Sequence, residues 1–217
     1  LHSANGFERT TTLFRRLGII LVDDLQLVDS RPPTGPPEDG RATHRMNANT
    51  TGATAESAAE TVADLCEERE LVVVSNREPY SHAREGDEIT VDRPAGGLTA
   101  ALDPVMQAAE GTWVAWGDGD ADREVVGPDD AVAVPPDDPS YDLRRVWLTD
   151  QQVEGYYRGY SNQVLWPLCH LDTAKMTPRK EFWRAYRETN SEFADAVLDS
   201  TADADRDPVV WFQDYHL

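Results

Sequence analysis

The stretch Leu71-Val72-Val73-Val74-Ser75-Asn76 decides the fold of this 217-residue chain. It begins with four apolar residues in a row and ends with two small polar ones. A strand that faces water on one side alternates apolar and polar residues, whereas an unbroken apolar run indicates a strand buried on both faces. Such strands form parallel sheets that carry helices on both sides. The stretch therefore predicts an α/β fold.

Helices and strands are predicted to alternate on either side of this strand. Helical spacing or capping marks 55–69, the segment from the Gly96-Gly97 pair to Ala109, 151–157 behind the cap Thr149-Asp150, and 178–198. Short strands are predicted over 112–116, 131–134, 145–148 and 208–212, the last as a buried strand, with a polar loop over 77–94. This alternation indicates a Rossmann-like, doubly wound, mainly parallel sheet, in which ligands bind beyond the carboxyl ends of the strands.

Three polar clusters are expected at that edge of the sheet. They are Ser75-Asn76-Arg77 after the first strand, the Gly96-Gly97 turn before a helix, and Asp214-Tyr215-His216 after the last strand. Arg77 offers a planar fork to a phosphate, and glycines at a helix N-terminus admit a phosphate to free backbone N–H groups. Asp214 can accept hydrogen bonds from sugar hydroxyls or act as a base, and His216 can titrate near neutrality.

The same residues also have structural interpretations, which the local sequence leaves open. Arg77 can be a surface arginine after a turn, and the glycine pair can be a flexible helix start. Asp214 can cap a helix while His216 has a structural role. The convergence of three polar clusters at one edge favours a ligand site, because loops at such an edge often carry function.

The run from Tyr156 to His170 adds aromatic side chains to this picture. It holds three tyrosines, a tryptophan, an arginine, an asparagine and a histidine within fifteen residues. Sugar rings present C–H faces that stack on aromatic rings and hydroxyls that need polar partners, so the run is typical of a sugar pocket. The expected roles are pocket wall for Tyr157 and Trp166, rim for Arg158 and Asn162, and core for Pro167 and Leu168.

The amino-acid composition excludes some classes of binding partner. The net charge is −20, from 40 acidic and 20 basic residues, and only two of the basic residues are lysines. Dispersed acids with few lysines favour a protein adapted to high salt, where screening relieves self-repulsion; the alternative is an ordinary acidic protein. The chain shows no basic stripe for nucleic acid or an anionic membrane, and no apolar stretch of membrane-spanning length.

The cysteines and histidines point to no metal site. Cys66 and Cys169 lie far apart without a CxxC spacing, which favours free thiols in a reducing compartment. The five histidines are likewise scattered along the chain. We therefore expect a cytoplasmic protein that holds no metal ion.

The chain is predicted to divide into three parts. Residues 1–55 are interpreted as a disordered extension, or as upstream sequence from a mis-assigned gene start with Met46 as the true start. Residues 56–69 are interpreted as a helix or linker, and residues 70–217 as a partial Rossmann-like domain. Because the chain stops just after a strand, where a doubly wound sheet would continue, we expect it to be a piece of a longer protein.

Six ordered motifs carry a resemblance to a known family. They are SNRxP at 75–79, AGGLxxAL at 95–102, WVAWG at 113–117, YYxGYSNxxLWPLxH at 156–170, FWxxYxxxNxxFA at 182–194 and VWFQDYHL at 210–217. In this order and spacing they resemble the retaining trehalose-6-phosphate synthases. The resemblance covers residues 71–217 and leaves the first third of the chain without a counterpart.

The resemblance implies a glycosyltransferase-B fold, in which two Rossmann-like domains enclose the active site. Residues 70–217 would then be a partial N-terminal acceptor domain, and the C-terminal donor domain would be absent from this chain. The resemblance also implies transfer of glucose from UDP-glucose to glucose 6-phosphate with retention, giving trehalose 6-phosphate, an osmolyte precursor that would suit a salt-stressed cell. No metal or cofactor is implied, because the nucleotide sugar is a substrate, and a homo-oligomer of the full-length parent is left open. The implied acceptor-binding residues are Arg77, Tyr157, Trp166 and Asp214, and the implied donor-binding residues are Gly96 and Gly97.

The chain departs from the family pattern in two ways. Gln213 stands where the family has the first histidine of HDYHL, and we expect it to support the end of the strand. The cations that hold the departing diphosphate are expected beyond Leu217, so no residue here is assigned a catalytic role and the isolated chain is expected to be inactive. Two alternatives remain: an enzyme similar to glucosylglycerol-phosphate synthases, acting on glycerol 3-phosphate, and a non-catalytic product of a truncated gene.

Overall fold

The computed structural model describes Cys66, residues 69–94 and residues 97–217. The predicted extension over 1–55 lies outside the described residues, as does Gly96. Of the helix predicted over 55–69, the structure describes Cys66, which is helical and buried, while Arg69 already belongs to the first strand.

The described residues form one mixed sheet, one hairpin and several helices. In chain order the elements are β1 (Arg69–Ser75), β2 (Ser81–Glu85), β3 (Glu88–Asp92), α1 (Gly97–Ala109), β4 (Thr112–Trp116), α2 (Asp122–Val125), β5 (Ala131–Val134), β6 (Tyr141–Val146), α3 (Asp150–Val153), a π-helix (Glu154–Leu165), α4 (Trp166–Cys169), a 3₁₀ turn (Thr173–Lys175), α5 (Lys180–Ser200) and β7 (Asp207–Phe212). Within this part of the chain, no helix is long and apolar enough to cross a membrane.

The strand order of the sheet indicates at which end of the strands a ligand would bind. The order is β5-β6-β4-β1-β7, in which β6, β4, β1 and β7 run parallel and β5 is antiparallel to β6. The chain moves outward from β1 through β4 to β6 and then returns to place β7 on the other side of β1. This reversal is a topological switch point, and in open α/β sheets ligands bind in the crevice outside the carboxyl ends of the strands at such a point. We call this side of the sheet the carboxyl edge.

Two apolar cores cover the two faces of the sheet. Leu71 and Val73 of β1 pack with α1, β4 and β6 on one face, and Val72 and Val74 pack with α5 and β7 on the other. Alternate side chains of a strand point to opposite faces, so an unbroken apolar run supplies both cores at once. The predicted doubly wound, mainly parallel α/β fold is confirmed.

The helical segment after β6 is longer than predicted. Thr149 caps it in a capping box with Gln152, as its sequence position indicates. The helix then continues as a π-helix through most of the aromatic run. Gly155 and Gly159 permit close packing on α5, because a Cβ atom there would lie 2.6 Å from Ala185 Cβ and 2.6 Å from the Phe182 ring. The aromatic run is therefore a rigid helix and not a loop.

Three expectations about the elements were wrong. Residues 77–94 contain the antiparallel hairpin β2–β3 and are not a plain polar loop; short hairpin strands that face water lack an apolar signal. The strand predicted over 145–148 is Tyr141–Val146, since its first half is too polar to recognise. The last strand is not buried throughout: β7 is the edge strand, and Trp211 remains 42% exposed.

Candidate functional site

Arg77 is the one exposed residue in a buried stretch that runs from Leu71 to Tyr80. It follows β1 directly and therefore lies at the carboxyl edge beside the switch point. Among the residues that the structure describes, none forms a hydrogen bond or an ion pair with its guanidinium. An arginine that is held at the sheet edge without a carboxylate partner keeps its donors free for an anionic ligand.

The segment after β7 begins beside the end of β1, because the two strands pair in parallel up to Val74 and Phe212. Asp214 adopts a left-handed conformation with φ of 72°, which is uncommon outside glycine, and its Oδ1 accepts a hydrogen bond from the Tyr215 backbone N–H at 2.7 Å. Its Oδ2 lies 3.4 Å from His216 Nδ1. Burial and the nearby charge of Arg77 lower the pKa of His216, and the Asp214 carboxylate opposes them. His216 is therefore a neutral imidazole at pH 7, and Arg77 carries the positive charge of this crevice.

Aromatic rings surround this pair of strand ends. The Tyr157 ring lies between Trp116 at the end of β4 and His216 after β7, with centroid distances of 6.3 Å and 5.4 Å. The Trp166 ring contacts Tyr215 at 5.5 Å and stays 48% exposed. The π-helix and α4 thus place aromatic rings beside His216 and Tyr215, which follow Asp214 in the chain. Aromatic rings close to a few polar groups are the arrangement expected for a sugar subsite.

The residues around Arg77 are anchored in the core. Ser75 Oγ donates to the Arg77 carbonyl oxygen at 2.6 Å and accepts a hydrogen bond from Trp113 Nε1 at 2.8 Å. The Tyr156 hydroxyl donates to Asn76 Oδ1 at 3.0 Å. Burial is the main reason that the pKa of Tyr156 is raised, so this hydroxyl keeps its proton and remains a donor.

Glu78, His82, Asp122 and Arg145 form a buried charge cluster that begins one residue after Arg77. Arg145 Nε donates to Glu78 Oε2 at 2.8 Å, and its Nη2 lies 3.0 Å from Asp122 Oδ1. The His82 pKa is lowered, mainly by burial and by Arg145, so its ring is neutral. The Arg145 guanidinium thus contacts the carboxyl groups of Glu78 and Asp122, and all three groups are shielded from water.

One of the two carboxyl groups in this cluster holds a proton. Burial, helped by a hydrogen bond to Asp122, raises the pKa of Glu78 to about 9. The pKa of Asp122 is lowered: burial works against this, but the hydrogen bond from Glu78, the Arg145 charge and two backbone N–H groups outweigh it. Glu78 is therefore the neutral member of the pair and Asp122 the charged one, which leaves the cluster with one positive and one negative charge.

The protonated Glu78 predicts a specific pH dependence of stability. The folded state retains a proton that the unfolded chain releases above the usual pKa of 4.5, so this residue's contribution to stability is lost as the pH rises from about 4.5 to about 9. Glu78→Gln keeps the shape and removes the titration. We expect the variant to gain stability relative to the parent as the pH increases across this window, measured by urea unfolding at several pH values. A constant difference between the two proteins would contradict the assignment.

The structure brings together most of the residues that the sequence singled out. The Tyr157 ring contacts His216, which lies close enough to Arg77 and Asp214 for both charges to act on it, and the Trp166 ring contacts Tyr215 beside them. Gly97 is exposed and begins α1, which follows β1 and precedes the parallel strand β4, so its N-terminus belongs to the carboxyl edge. Gly96 lies outside the described residues, and the proposed ligand contacts of both glycines stay predictions.

One residue of the aromatic run contradicts the sequence-based expectation, and three other residues make contacts that the local sequence does not show. Leu168 was expected in the core but is 47% exposed, because α4 turns it outward while Pro167 is buried. Asn162 accepts a hydrogen bond from the Tyr215 hydroxyl at 3.2 Å, and Arg158 pairs with Glu154 on the same helix. Gln213 donates its backbone N–H to the Val74 carbonyl at 2.8 Å and so continues the pairing of β7 with β1.

Sequence reasoning missed the groups that support the crevice. Tyr156 was not distinguished from its neighbour Tyr157, and Trp116, Glu78 and Arg145 were not singled out at all. A charged residue within a strand pattern, such as Arg145, is a usable signal, because an unpaired charge at a buried position would be costly. Its partners come from a hairpin and a short helix, and their proximity is visible only in three dimensions.

The comparisons with known proteins agree on one family. The model of glycosyltransferase family 20 matches residues 69–217. Trehalose-6-phosphate synthase of Mycobacterium avium is 39% identical over 149 residues, which cover 68% of this chain and 29% of that protein. The UDP-forming α,α-trehalose-phosphate synthase of Schizosaccharomyces pombe is 32% identical over 156 residues, which cover 71% of this chain and 29% of that protein.

Solved structures of similar proteins match the same part of the chain. A trehalose-6-phosphate structure from E. coli bound with UDP-2-fluoro glucose is 30% identical, with a TM-score of 0.49 over 68% of this chain and 28% of that one. A trehalose 6-phosphate synthase from Burkholderia multivorans is 31% identical, with a TM-score of 0.47 over 70% and 29%. The chain spans less than a third of the length of each of these relatives.

Proposed function

The chain belongs to glycosyltransferase family 20, and on this basis we propose that its crevice is the acceptor side of a synthase that transfers glucose from UDP-glucose to glucose 6-phosphate. The product would be trehalose 6-phosphate, formed with retention at the anomeric carbon. The proposal takes its reaction from relatives that are named trehalose-6-phosphate synthases, one of them UDP-forming. The observation that carries the acceptor assignment is that Arg77, whose guanidinium has no partner among the described residues, and Asp214 follow two adjacent strands, β1 and β7, at the switch point.

Each group in the crevice suits one part of the acceptor. The Arg77 guanidinium can form paired, charge-assisted hydrogen bonds with a phosphate dianion. The Asp214 carboxylate only accepts hydrogen bonds, so it suits sugar hydroxyls and would repel the phosphate. Tyr157 and Trp166 offer ring faces to the apolar side of the pyranose. Charge thus orients the ligand, with the phosphate towards Arg77 and the hydroxyls towards Asp214.

The overall charge of the chain makes this local cation important. A net charge of −20 opposes the approach of any phosphorylated ligand, so binding must come from specific contacts at short range. For the donor, we propose that the N-terminus of α1 at Gly97 contributes backbone N–H groups to the diphosphate. Stabilisation of the departing UDP is assigned to cations of a second domain in the longer protein. We propose no metal or organic cofactor for the transfer.

The proposal is tested by titrating the 217-residue chain with glucose 6-phosphate, glycerol 3-phosphate and glucose at one ionic strength. Calorimetry is expected to give the tightest binding for glucose 6-phosphate, by roughly 10- to 100-fold over glucose, because charge-assisted hydrogen bonds contribute about 1.5–3 kcal/mol. Equal binding of glucose 6-phosphate and glucose would refute a phosphate subsite at Arg77. Tighter binding of glycerol 3-phosphate would replace the proposed acceptor with the smaller one.

A further inference from the structure

Arg77 is held in place by its sequence neighbours, since its guanidinium forms no hydrogen bond or ion pair with any residue that the structure describes. Within residues 75–78, the three residues other than Arg77 are buried and each is hydrogen-bonded to a different part of the core. Ser75 is bound by Trp113 of β4, Asn76 by Tyr156 of the π-helix, and Glu78 by Arg145 of β6. Because these partners come from three separate elements, the backbone of Arg77 is held from three directions.

These anchors have a geometry that suits positioning. Tyr156 is fully buried, and Arg145 is 2% exposed, so their hydrogen bonds do not compete with water. Tyr156 also precedes Tyr157, whose ring lines the crevice. The same turn of the π-helix therefore supplies a wall for the sugar and holds the strand end that carries the phosphate-binding arginine. A displacement of the π-helix relative to β1 would change both contacts together.

We propose that Tyr156 and Arg145, acting through Asn76 and Glu78, are positioning residues that determine how strongly Arg77 selects a phosphorylated acceptor. The inference rests on the proposed function, because it presupposes that Arg77 binds the acceptor phosphate. Neither residue touches the ligand. Binding groups need to be held within about 0.5 Å of their productive geometry, and supporting hydrogen bonds provide that accuracy.

The test is Tyr156→Phe, which removes one hydroxyl and leaves the ring in place. We expect affinity for glucose 6-phosphate to fall roughly three- to tenfold while affinity for glucose is unchanged, as for the loss of one hydrogen bond. The matched control is Tyr141→Phe. The Tyr141 hydroxyl is also buried and donates to Asp103 at 2.8 Å. Tyr141 begins β6, however, and so lies at the amino ends of the parallel strands, opposite the carboxyl edge. The control should lose similar stability and keep the ratio of the two affinities.

A second pair of variants tests the other anchor. Glu78→Gln keeps an acceptor for Arg145 Nε and should preserve the ratio of the affinity for glucose 6-phosphate to the affinity for glucose. Glu78→Leu removes the acceptor and should lower this ratio, as Tyr156→Phe does. Since the two anchors are independent, a variant that fails to fold leaves the other to decide. An unchanged ratio in the folded variants, or an equal decrease in Tyr141→Phe, overturns the proposal. If the parent chain itself does not prefer glucose 6-phosphate, the proposed function fails instead.

Discussion

Replacing Arg145 with methionine is expected to lower the free energy of unfolding by about 3–5 kcal/mol, the cost of breaking a buried ion pair by removing one partner. Methionine retains the apolar stem and about the same length, so the loss is that of the guanidinium. Arg145 and Asp122 are both fully buried as side chains, and the variant leaves the Asp122 carboxylate without its counter-charge. It also removes the hydrogen bonds that Arg145 donates to Glu78 Oε2 and to the Tyr80 carbonyl oxygen.

The neighbouring residue on the same strand provides the control. Arg144 pairs with Asp199 at 3.3 Å, but the Asp199 side chain is 70% exposed, so water screens this pair. Arg144→Met should therefore cost at most about 1 kcal/mol. Both variants change the net charge by the same amount, and urea unfolding monitored by far-ultraviolet circular dichroism measures them alike. Similar losses for the two would show that the buried charge cluster has no special energetic role.

Replacing Arg77 with glutamine is expected to weaken the binding of glucose 6-phosphate by about 10- to 100-fold, with little change for glucose. Glutamine keeps hydrogen-bonding capacity but loses the charge and the planar fork that match a phosphate. Because Arg77 is exposed and its guanidinium has no partner within the described part of the chain, the substitution breaks no contact of the fold. Thermal stability should therefore stay close to that of the parent, which separates this effect from that of Arg145→Met.

Arg69→Gln is the matched control for this prediction. Arg69 is exposed and begins β1, which spans about 20 Å at the usual rise per residue, whereas Arg77 lies just beyond the other end of the strand. Arg69→Gln changes the net charge by the same amount as Arg77→Gln, and thus makes the same change in the long-range field acting on the phosphate. Calorimetric titration should show a small effect for Arg69→Gln and a large one for Arg77→Gln. Equal effects would mean that overall charge, and not a phosphate subsite, governs binding.

Local sequence was sufficient where one face or one cap determines an element. The apolar run of β1 specifies a strand buried on both sides, and the Thr149 cap with Gln152 specifies where a helix begins. The stripe of α5 places Phe193 and Val197 in the core, as its spacing predicts. Each of these signals is contained within a few neighbouring residues, so no knowledge of distant partners is needed.

Local sequence was insufficient where a residue's environment comes from distant segments. Trp166 and Leu168 are apolar and yet about half exposed, because the end of the π-helix turns them away from both cores. The hairpin β2–β3 was missed because its strands are stabilised by pairing and by contacts with α2, including the bond from the His82 backbone N–H to Asp122. A polar segment becomes regular structure when another segment satisfies its backbone.

The sequence by itself determined the α/β class, the family and the chemical character of Arg77, Asp214 and the aromatic run, because these depend on residue types and their spacing. Only the tertiary structure decided that β7 returns to the side of β1, which brings residues 77 and 214 to the two sides of one switch point. It also decided that Tyr156 and Arg145 hold the segment that carries Arg77. The physical reason is that the pairing of β1 with β7 joins residues 138 positions apart and a buried side-chain hydrogen bond joins residues 80 positions apart. The energies that select these contacts arise only when both partners leave water together.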